Sequence, residues 1–184
     1  MPGLSDLNIN SMAQFGSKIY CSGYGVVFVS TDNGNSWIQT GLGLPQSQIS
    51  GLISQSRDLF ACSYDFGLFN STNEGTSWTE DNSSFSGHQV SSFSVVDNYL
   101  LASTTVNKLL RTSNNGLNWS SSAVGITGVN ISRLLSKDGL LFCVTYDNVF
   151  RSTDQGDSWT SLGLNDQYNV DLISYRDYIY ALSF

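Results

Sequence analysis

The chain has 184 residues, only 12% of them charged, and fifteen acids against eight bases give a net charge of −7. That balance argues against non-specific binding to DNA, RNA or anionic lipid, and no apolar run is long enough to cross a bilayer. Two prolines, seventeen glycines and abundant Ser, Thr and Asn suit one domain of many short strands and tight turns.

Met1-Pro2-Gly3-Leu4-Ser5 lacks the charged and apolar regions of a signal peptide, so a secreted origin requires a removed leader. A first segment, 5–41, has apolar Ile9 and Met12, then Ile19-Tyr20-Cys21, and ends in the octet Ser30-Thr31-Asp32-Asn33-Gly34-Asn35-Ser36-Trp37. The second, 46–82, shows the pattern in full: Ile49 to Ile53, a turn at Ser56-Arg57-Asp58, Leu59-Phe60-Ala61-Cys62, a loop at Tyr64-Asp65, and Gly67-Leu68-Phe69-Asn70. Its octet is Ser71-Thr72-Asn73-Glu74-Gly75-Thr76-Ser77-Trp78, and Trp78-Thr79-Glu80 closes it. The third, 88–122, has Val90 and Phe93, Tyr99-Leu100-Leu101, and Thr112-Ser113-Asn114-Asn115-Gly116-Leu117-Asn118-Trp119. The fourth, 128–163, has Ile131 and Leu134, Leu140-Leu141-Phe142, and Ser152-Thr153-Asp154-Gln155-Gly156-Asp157-Ser158-Trp159. A fifth, 168–184, opens with Val170 and Ile173, continues through Tyr178-Ile179-Tyr180, and has no octet.

The four tryptophans stand 41, 41 and 40 residues apart, a period that marks a repeat architecture. Each repeat predicts four strands, A to D. In the A segments a three-residue apolar spacing alone fits a helix, but β-branched residues and an early turn decide for strand. The B segments are apolar throughout, as in strands covered on both faces.

The octet has the chemistry of a turn. Its third residue accepts hydrogen bonds from N–H groups two residues on, its glycine takes positive φ, and its Ser/Thr add local bonds. The tryptophan then starts the return strand and buries its ring. This pattern, Ser/Thr-x-Asp-x-Gly-x-Ser/Thr-Trp, resembles the Asp-box (BNR) repeat, and with the strands between the copies the likeness covers nearly the whole chain. The resemblance implies an all-β fold, a β-propeller. Counting repeats gives four complete four-stranded blades plus the A–B hairpin of a fifth, and so predicts a partial or open ring that continues past Phe184 or associates through its terminal blades; the alternative is a tight four- or five-bladed ring in which the half blade fills the last place. The resemblance also implies that Asp32, Gly34, Trp37, Asn73, Gly75, Trp78, Asn114, Gly116, Trp119, Asp154, Gly156 and Trp159 are structural. Asn73, Asn114 and Asn118 depart from the pattern, and the lost charge speaks against bound metal in the octets. No cofactor motif is present. The short, plain repeats look most like those of secreted bacterial propellers, which implies an extracytoplasmic protein.

Cys21 and Cys62 stand 41 apart, and Cys143 falls within one residue of the same point of the repeat. They read as small buried strand residues, not as a disulfide or a metal site.

Up-and-down strand order puts A–B turns and octets at one end of the blades and B–C and D–A loops at the other. The second end carries Tyr24, Tyr64, Asp65, Tyr146, Asp147, His88 and Tyr168, aromatics beside carboxylates that suit a protein or carbohydrate ligand. Phe66 and Phe85 read as packing between blades. His88, the only histidine, lies in a polar loop with no nucleophile elbow anywhere in the chain. A carboxylate pair for glycoside hydrolysis can be drawn from Asp65 and Asp147, but their separation is not legible. Arg111 and Arg151 lack the third arginine of a sialidase site. The expected function is therefore a non-catalytic interaction module. The alternatives are a fragment of a propeller glycoside hydrolase, sialidase-like or xyloglucanase-like, with its catalytic residues elsewhere, and a purely structural repeat segment.

Overall fold

A computed structural model describes Leu4 and residues 8–81, 85, 90–104, 109–127, 131–163 and 169–183. Its strands form successive antiparallel sheets in chain order. The first contains β1 (Ser11–Phe15), β2 (Lys18–Ser22), β3 (Val27–Ser30) and β4 (Ile38–Thr40). The second contains β5 (Ile49–Gln55), β6 (Asp58–Ser63), β7 (Gly67–Ser71) and β8 (Thr79–Glu80). The third contains β9 (Val90–Val96), β10 (Tyr99–Thr104), β11 (Leu109–Thr112) and β12 (Ser120–Ser121), and the fourth β13 (Arg133–Lys137), β14 (Leu140–Val144), β15 (Val149–Ser152) and β16 (Thr160–Ser161). A hairpin of β17 (Asn169–Tyr175) and β18 (Tyr178–Ser183) follows. These are the four blades and the A–B hairpin that the repeat predicts, and no helix occurs among the described residues. The chain forms two compact units, Met1–Val90 and Ser91–Phe184.

Burial follows strand position. In the second, third and fourth blades the B strands are the most enclosed, with β6 buried along its whole length, whereas β8, β12 and β16 are exposed edge strands of two polar residues each. Short polar edges discourage pairing with other chains. Tyr20, Ile49, Leu59, Phe69 and Trp78 centre the core of the first unit; Leu101, Leu134, Leu141, Phe150 and Trp159 centre that of the second. Pairing corrects the expected cysteine alignment. Cys21 faces Phe28 and Cys143 faces Phe150, but Ala61 holds that place in the second blade, opposite Phe69, and Cys62 sits one residue further on.

The octets are braced differently from the sequence expectation. The third residue does not reach two residues on; its Oδ1 accepts the N–H of the seventh residue, at 2.8–3.0 Å in all four copies. The first residue is the hub: its hydroxyl accepts the glycine N–H at 2.8–3.1 Å and donates to the third residue's Oδ1. Residue four shares positive φ with the glycine, at 54–58° for Asn33, Glu74, Asn115 and Gln155. That strained pair is held by the hydroxyl bracing its N–H. Asparagine fits because the seventh-residue hydroxyl changes role. Ser158 Oγ donates to Asp154 Oδ2 at 2.5 Å, while Ser77 Oγ accepts from Asn73 Nδ2 at 2.8 Å.

Within each unit the octet of the later blade is seated on the earlier one. Thr40 Oγ1 donates to Gly75 O at 2.7 Å, and Ser122 Oγ likewise to Gly156 O. The earlier blade's exit segment then crosses the tryptophan backbone: Trp78 N–H donates to Leu42 O at 2.8 Å and Trp159 N–H to Val124 O at 2.9 Å. A side chain at Gly43 or Gly125 would overlap the tryptophan carbonyl oxygen, so close approach demands glycine there. The anchors are unequal. Trp78 and Trp159 are 4% and 5% exposed, whereas Trp37 and Trp119, in the first blade of each unit, are only half-buried. The β17–β18 hairpin packs Leu172 and Ile179 toward Phe142 and Val149 but exposes Ile173, Tyr175, Tyr178, Tyr180 and Leu182.

Trp159→Ala is expected to lower unfolding free energy by roughly 3–5 kcal/mol, the range for removing a buried large aromatic, and Trp37→Ala by clearly less. Chemical denaturation followed by circular dichroism measures both, and equal losses would contradict the unequal seating.

The Ser36 hydroxyl, its N–H and Ser30 hold Asp32 at about 2, and the Ser158 hydroxyl and N–H with Ser152 hold Asp154 at about 2. The ordinary value is 3.8. Folded-state values below the unfolded one mean that this stabilisation is complete above about pH 4 and is lost as pH falls toward 2. Asp32→Asn with Asp154→Asn should leave Tm at pH 7 nearly unchanged, because Asn73 makes the equivalent braces, and flatten the acid limb of a Tm–pH curve. An unchanged acid limb would remove these carboxylates as its cause.

Candidate functional site

In the first unit two neighbouring B–C loops converge on one exit segment. Tyr24 bridges Gln48 in antiparallel fashion, and Tyr64 N–H donates to Gln48 O at 2.8 Å. Gly25 N–H donates to Ser47 O at 2.7 Å, and Ile49 N–H to Gly23 O at 3.1 Å. Residues 46–49 thus lie between both loops and carry Tyr24 and Tyr64 on one scaffold. Both rings face solvent, at 65% and 51% exposure.

Polar groups fill the surroundings. Ser47 is fully buried and donates its hydroxyl to Asp65 Oδ2, fixing the carboxylate; among the described residues nothing takes up Oδ1. Gln48 Nε2 donates to Asn10 Oδ1 at 3.3 Å, both residues being exposed. Whichever way the two amides are turned, one NH2 and one C=O remain available. Phe66, expected to be packed between blades, is half-exposed beside Tyr64 and Asp65, whereas Phe85 is fully buried as expected. Sequence reasoning missed Gln48, Ser47 and Asn10. No signal marks them among so many amides and hydroxyls, since only the pairing of 46–49 with both loops gives them a place.

The second unit holds Tyr146 and Asp147 in a tight turn closed by Thr145 N–H to Asn148 O at 2.9 Å. Tyr146 is half-exposed, and Asp147 accepts from Thr145 Oγ1 at 3.1 Å, so its carboxylate braces its own turn. His88 and Tyr168 lie outside the described residues. The octet residues stay at the opposite end of the strands, engaged in the braces above.

Of the two arginines that precede octets, Arg111 is already engaged. Arg111 stacks over Tyr99 at 5.0 Å, donates to Gln155 O at 3.1 Å and pairs with Asp157, clasping the fourth octet. A cavity of about 290 Å³ beside it is lined by Tyr99, Arg111, Asn114, Asn118 and Trp119. A groove of about 540 Å³ in the first unit is lined by Gln14, Phe15, Lys18, Ser54, Ser56 and Glu74 and crossed by the Lys18–Glu74 ion pair at 2.5 Å. Both depressions are on the turn and octet side, occupied by groups already paired with each other. In the first unit the exposed Tyr24 and Tyr64 rings and the open polar atoms beside them are at the loop end.

Burial pushes the Cys21 thiol up to about 11, Cys143 to about 12 and Cys62 well up also, so none is a reactive thiolate at neutral pH. Among the described residues no group of three His, Cys, Asp or Glu is placed to hold a metal ion.

A family model described as DUF6242 beta propeller domain matches residues 67–172, more than half of the chain. No curated protein matches it. Among solved structures it is similar to YCF48 bound to D1 peptide, with a TM-score of 0.72 at 15% identity over 97% of this chain and 62% of that one. It is also similar to the GH74 xyloglucanase from Xanthomonas campestris, with 0.68 at 15% over 86% and 31%. A third likeness is to a chain of the nidogen/laminin complex, with 0.72 at 13% over 96% and 72%. This chain therefore spans less than two thirds of the first structure and under a third of the second. At such identities the likeness shows the fold alone, a β-propeller.

Since Tyr24 and Tyr64 carry their rings in solvent, Tyr24→Ala and Tyr64→Ala should each change unfolding free energy by no more than about 0.5 kcal/mol. Urea denaturation measures this, and a loss comparable to that at Trp159 would make the two tyrosines structural.

Proposed function

Because the chain belongs to the DUF6242 beta propeller domain family, we propose that it is a non-catalytic propeller module that binds a protein or glycan through its loop end. Tyr24, Tyr64, Asp65 and Gln48 of the first unit are the contact residues, and Tyr146 with Asp147 offers a related contact in the second. One observation carries this reading: two exposed tyrosines stand on separate loops whose backbones both pair with residues 47–49. Rings in solvent on paired backbone do nothing for the core and offer apolar area to a partner. Two chains of similar fold are seen with partners, YCF48 bound to D1 peptide and a chain of the nidogen/laminin complex. Four octets that share the first-residue hydroxyl brace and the bond from the seventh N–H to the third residue support placing them among the Asp-box repeats.

A second reading, part of a glycoside hydrolase, draws on the likeness to the GH74 xyloglucanase. The side chains favour the first. Asp65 is tied to Ser47, Asp147 to its own turn and Arg111 to the fourth octet.

Screening the chain against peptide and oligosaccharide arrays should yield a ligand whose affinity falls at least about tenfold in Tyr64→Ala or Tyr24→Ala. Neither a fluorogenic sialoside nor a xyloglucan oligosaccharide should be turned over. Binding undiminished in both variants would move the site elsewhere, and turnover abolished by Asp65→Asn would establish the hydrolase.

A further inference from the structure

Resting on the loop-end reading above, we infer that this site takes a neutral oligosaccharide, in preference to an extended peptide or an anionic glycan. Three independent features of the first unit converge on that ligand class.

The backbone is closed to strand addition. A peptide that binds by joining a sheet needs a row of unpaired N–H and C=O groups. The exit segment has loops on both sides: Ser47 O and Ile49 N–H bond to the first blade's loop, and Gln48 O accepts from Tyr64 N–H of the second. Tyr24 itself lies within the bridge to Gln48. Recognition here falls to side chains.

Those side chains match a sugar. The Tyr24 and Tyr64 rings are flat apolar surfaces with polar tips, suited to the C–H face of a pyranose. Gln48 with Asn10 offers one neutral donor and one neutral acceptor side by side, and Asp65 Oδ1 a second acceptor. A sugar hydroxyl donates and accepts at once, so adjacent hydroxyls can satisfy a mixed set of this kind. A peptide side chain satisfies only part of it.

Charge sets the remaining preference. The first unit has one lysine and one arginine, Lys18 and Arg57. Lys18 opens β2 and is paired with Glu74, and Arg57 sits in the turn between β5 and β6, so both are at the far end of the strands. No described lysine or arginine stands beside Asp65. A carboxylated or sulfated glycan would meet an acid with no counter-charge, and such like-charge contact discriminates against it.

The test is a calorimetric titration of the full chain with three sets of probes. The neutral set is cellohexaose, xylohexaose, mannohexaose and chitohexaose; the anionic set is hexagalacturonate and sialyllactose; the third is a pool of unmodified decapeptides. At least one neutral hexasaccharide should bind, unchanged by 0.5 M NaCl (about a 4 Å screening length), and more tightly than either anionic sugar. Tyr64→Ala and Gln48→Ala should each weaken it at least about tenfold. Tyr64→Phe, which keeps the stacking face, should stay within about threefold, and circular dichroism melting confirms that each variant is folded. Decapeptides alone binding, with loss in Tyr64→Ala, would overturn the sugar assignment while leaving the loop end as a binding face. Tighter binding of an anionic sugar would do the same. Neutral-sugar binding indifferent to Tyr24→Ala, Tyr64→Ala and Gln48→Ala, or no binding by any probe, would overturn the sugar assignment and the loop-end reading together.

Discussion

The hydroxyl that heads each octet is the contact on which the blades depend. Ser30, Ser71, Thr112 and Ser152 are all buried, and each bonds the glycine N–H four residues on. An unpaired buried N–H is costly, and two successive residues at positive φ are strained. The hydroxyl meets the first cost and holds the second. The turn so fixed presents its own carbonyls outward, where the preceding blade uses them. Tyr20 Oη donates to Glu74 O and Arg111 to Gln155 O, while Thr40 and Ser122 reach the glycine carbonyls. A local brace thereby becomes the cement between blades.

The same cement shapes the loop end. Once the exit segment of the first blade has crossed the Trp78 backbone, residues 46–49 are led between the next pair of B–C loops and take up their backbone bonds. Closing the backbone leaves Tyr24, Tyr64, Gln48 and Asn10 with no structural task that would bury them. In the second unit the loop carrying Tyr146 and Asp147 closes through Thr145 N–H to Asn148 O, with the Asp147 carboxylate bracing the same turn.

Acidic side chains in this protein do mechanical work. Asp32 and Asp154 brace octets, Asp65 accepts from a buried serine, Asp157 neutralises Arg111 and Asp171 pairs with Arg133 at 3.1 Å. Hydrolytic catalysis asks instead for carboxyl groups with contrasting protonation at a set separation. Asp32 and Asp154 have moved in the same direction, downward, because both are held by hydrogen-bond donors. Such shifts suit permanent anions in turns.

Much of the fold was legible because its signals are local. A period of about forty residues, apolar B strands and a Gly-Trp octet fix the number and order of strands, and turn chemistry alone gives each octet its place between strands C and D. Spacing could not reveal that the third residue reaches the seventh and not the fifth, since that depends on two successive residues at positive φ. It could not rank the tryptophans either. Similar octets bury Trp78 and Trp159 but leave Trp37 and Trp119 half-covered, and Trp78 and Trp159 each donate a backbone N–H to the exit segment of the blade before them in their own unit. For the loop end, sequence singled out Tyr24, Tyr64 and Asp65 by residue type and up-and-down order. Gln48, Ser47 and Asn10 joined them only through contacts between residues up to 38 apart, and contact at that distance is decided by packing, not by neighbours in the chain.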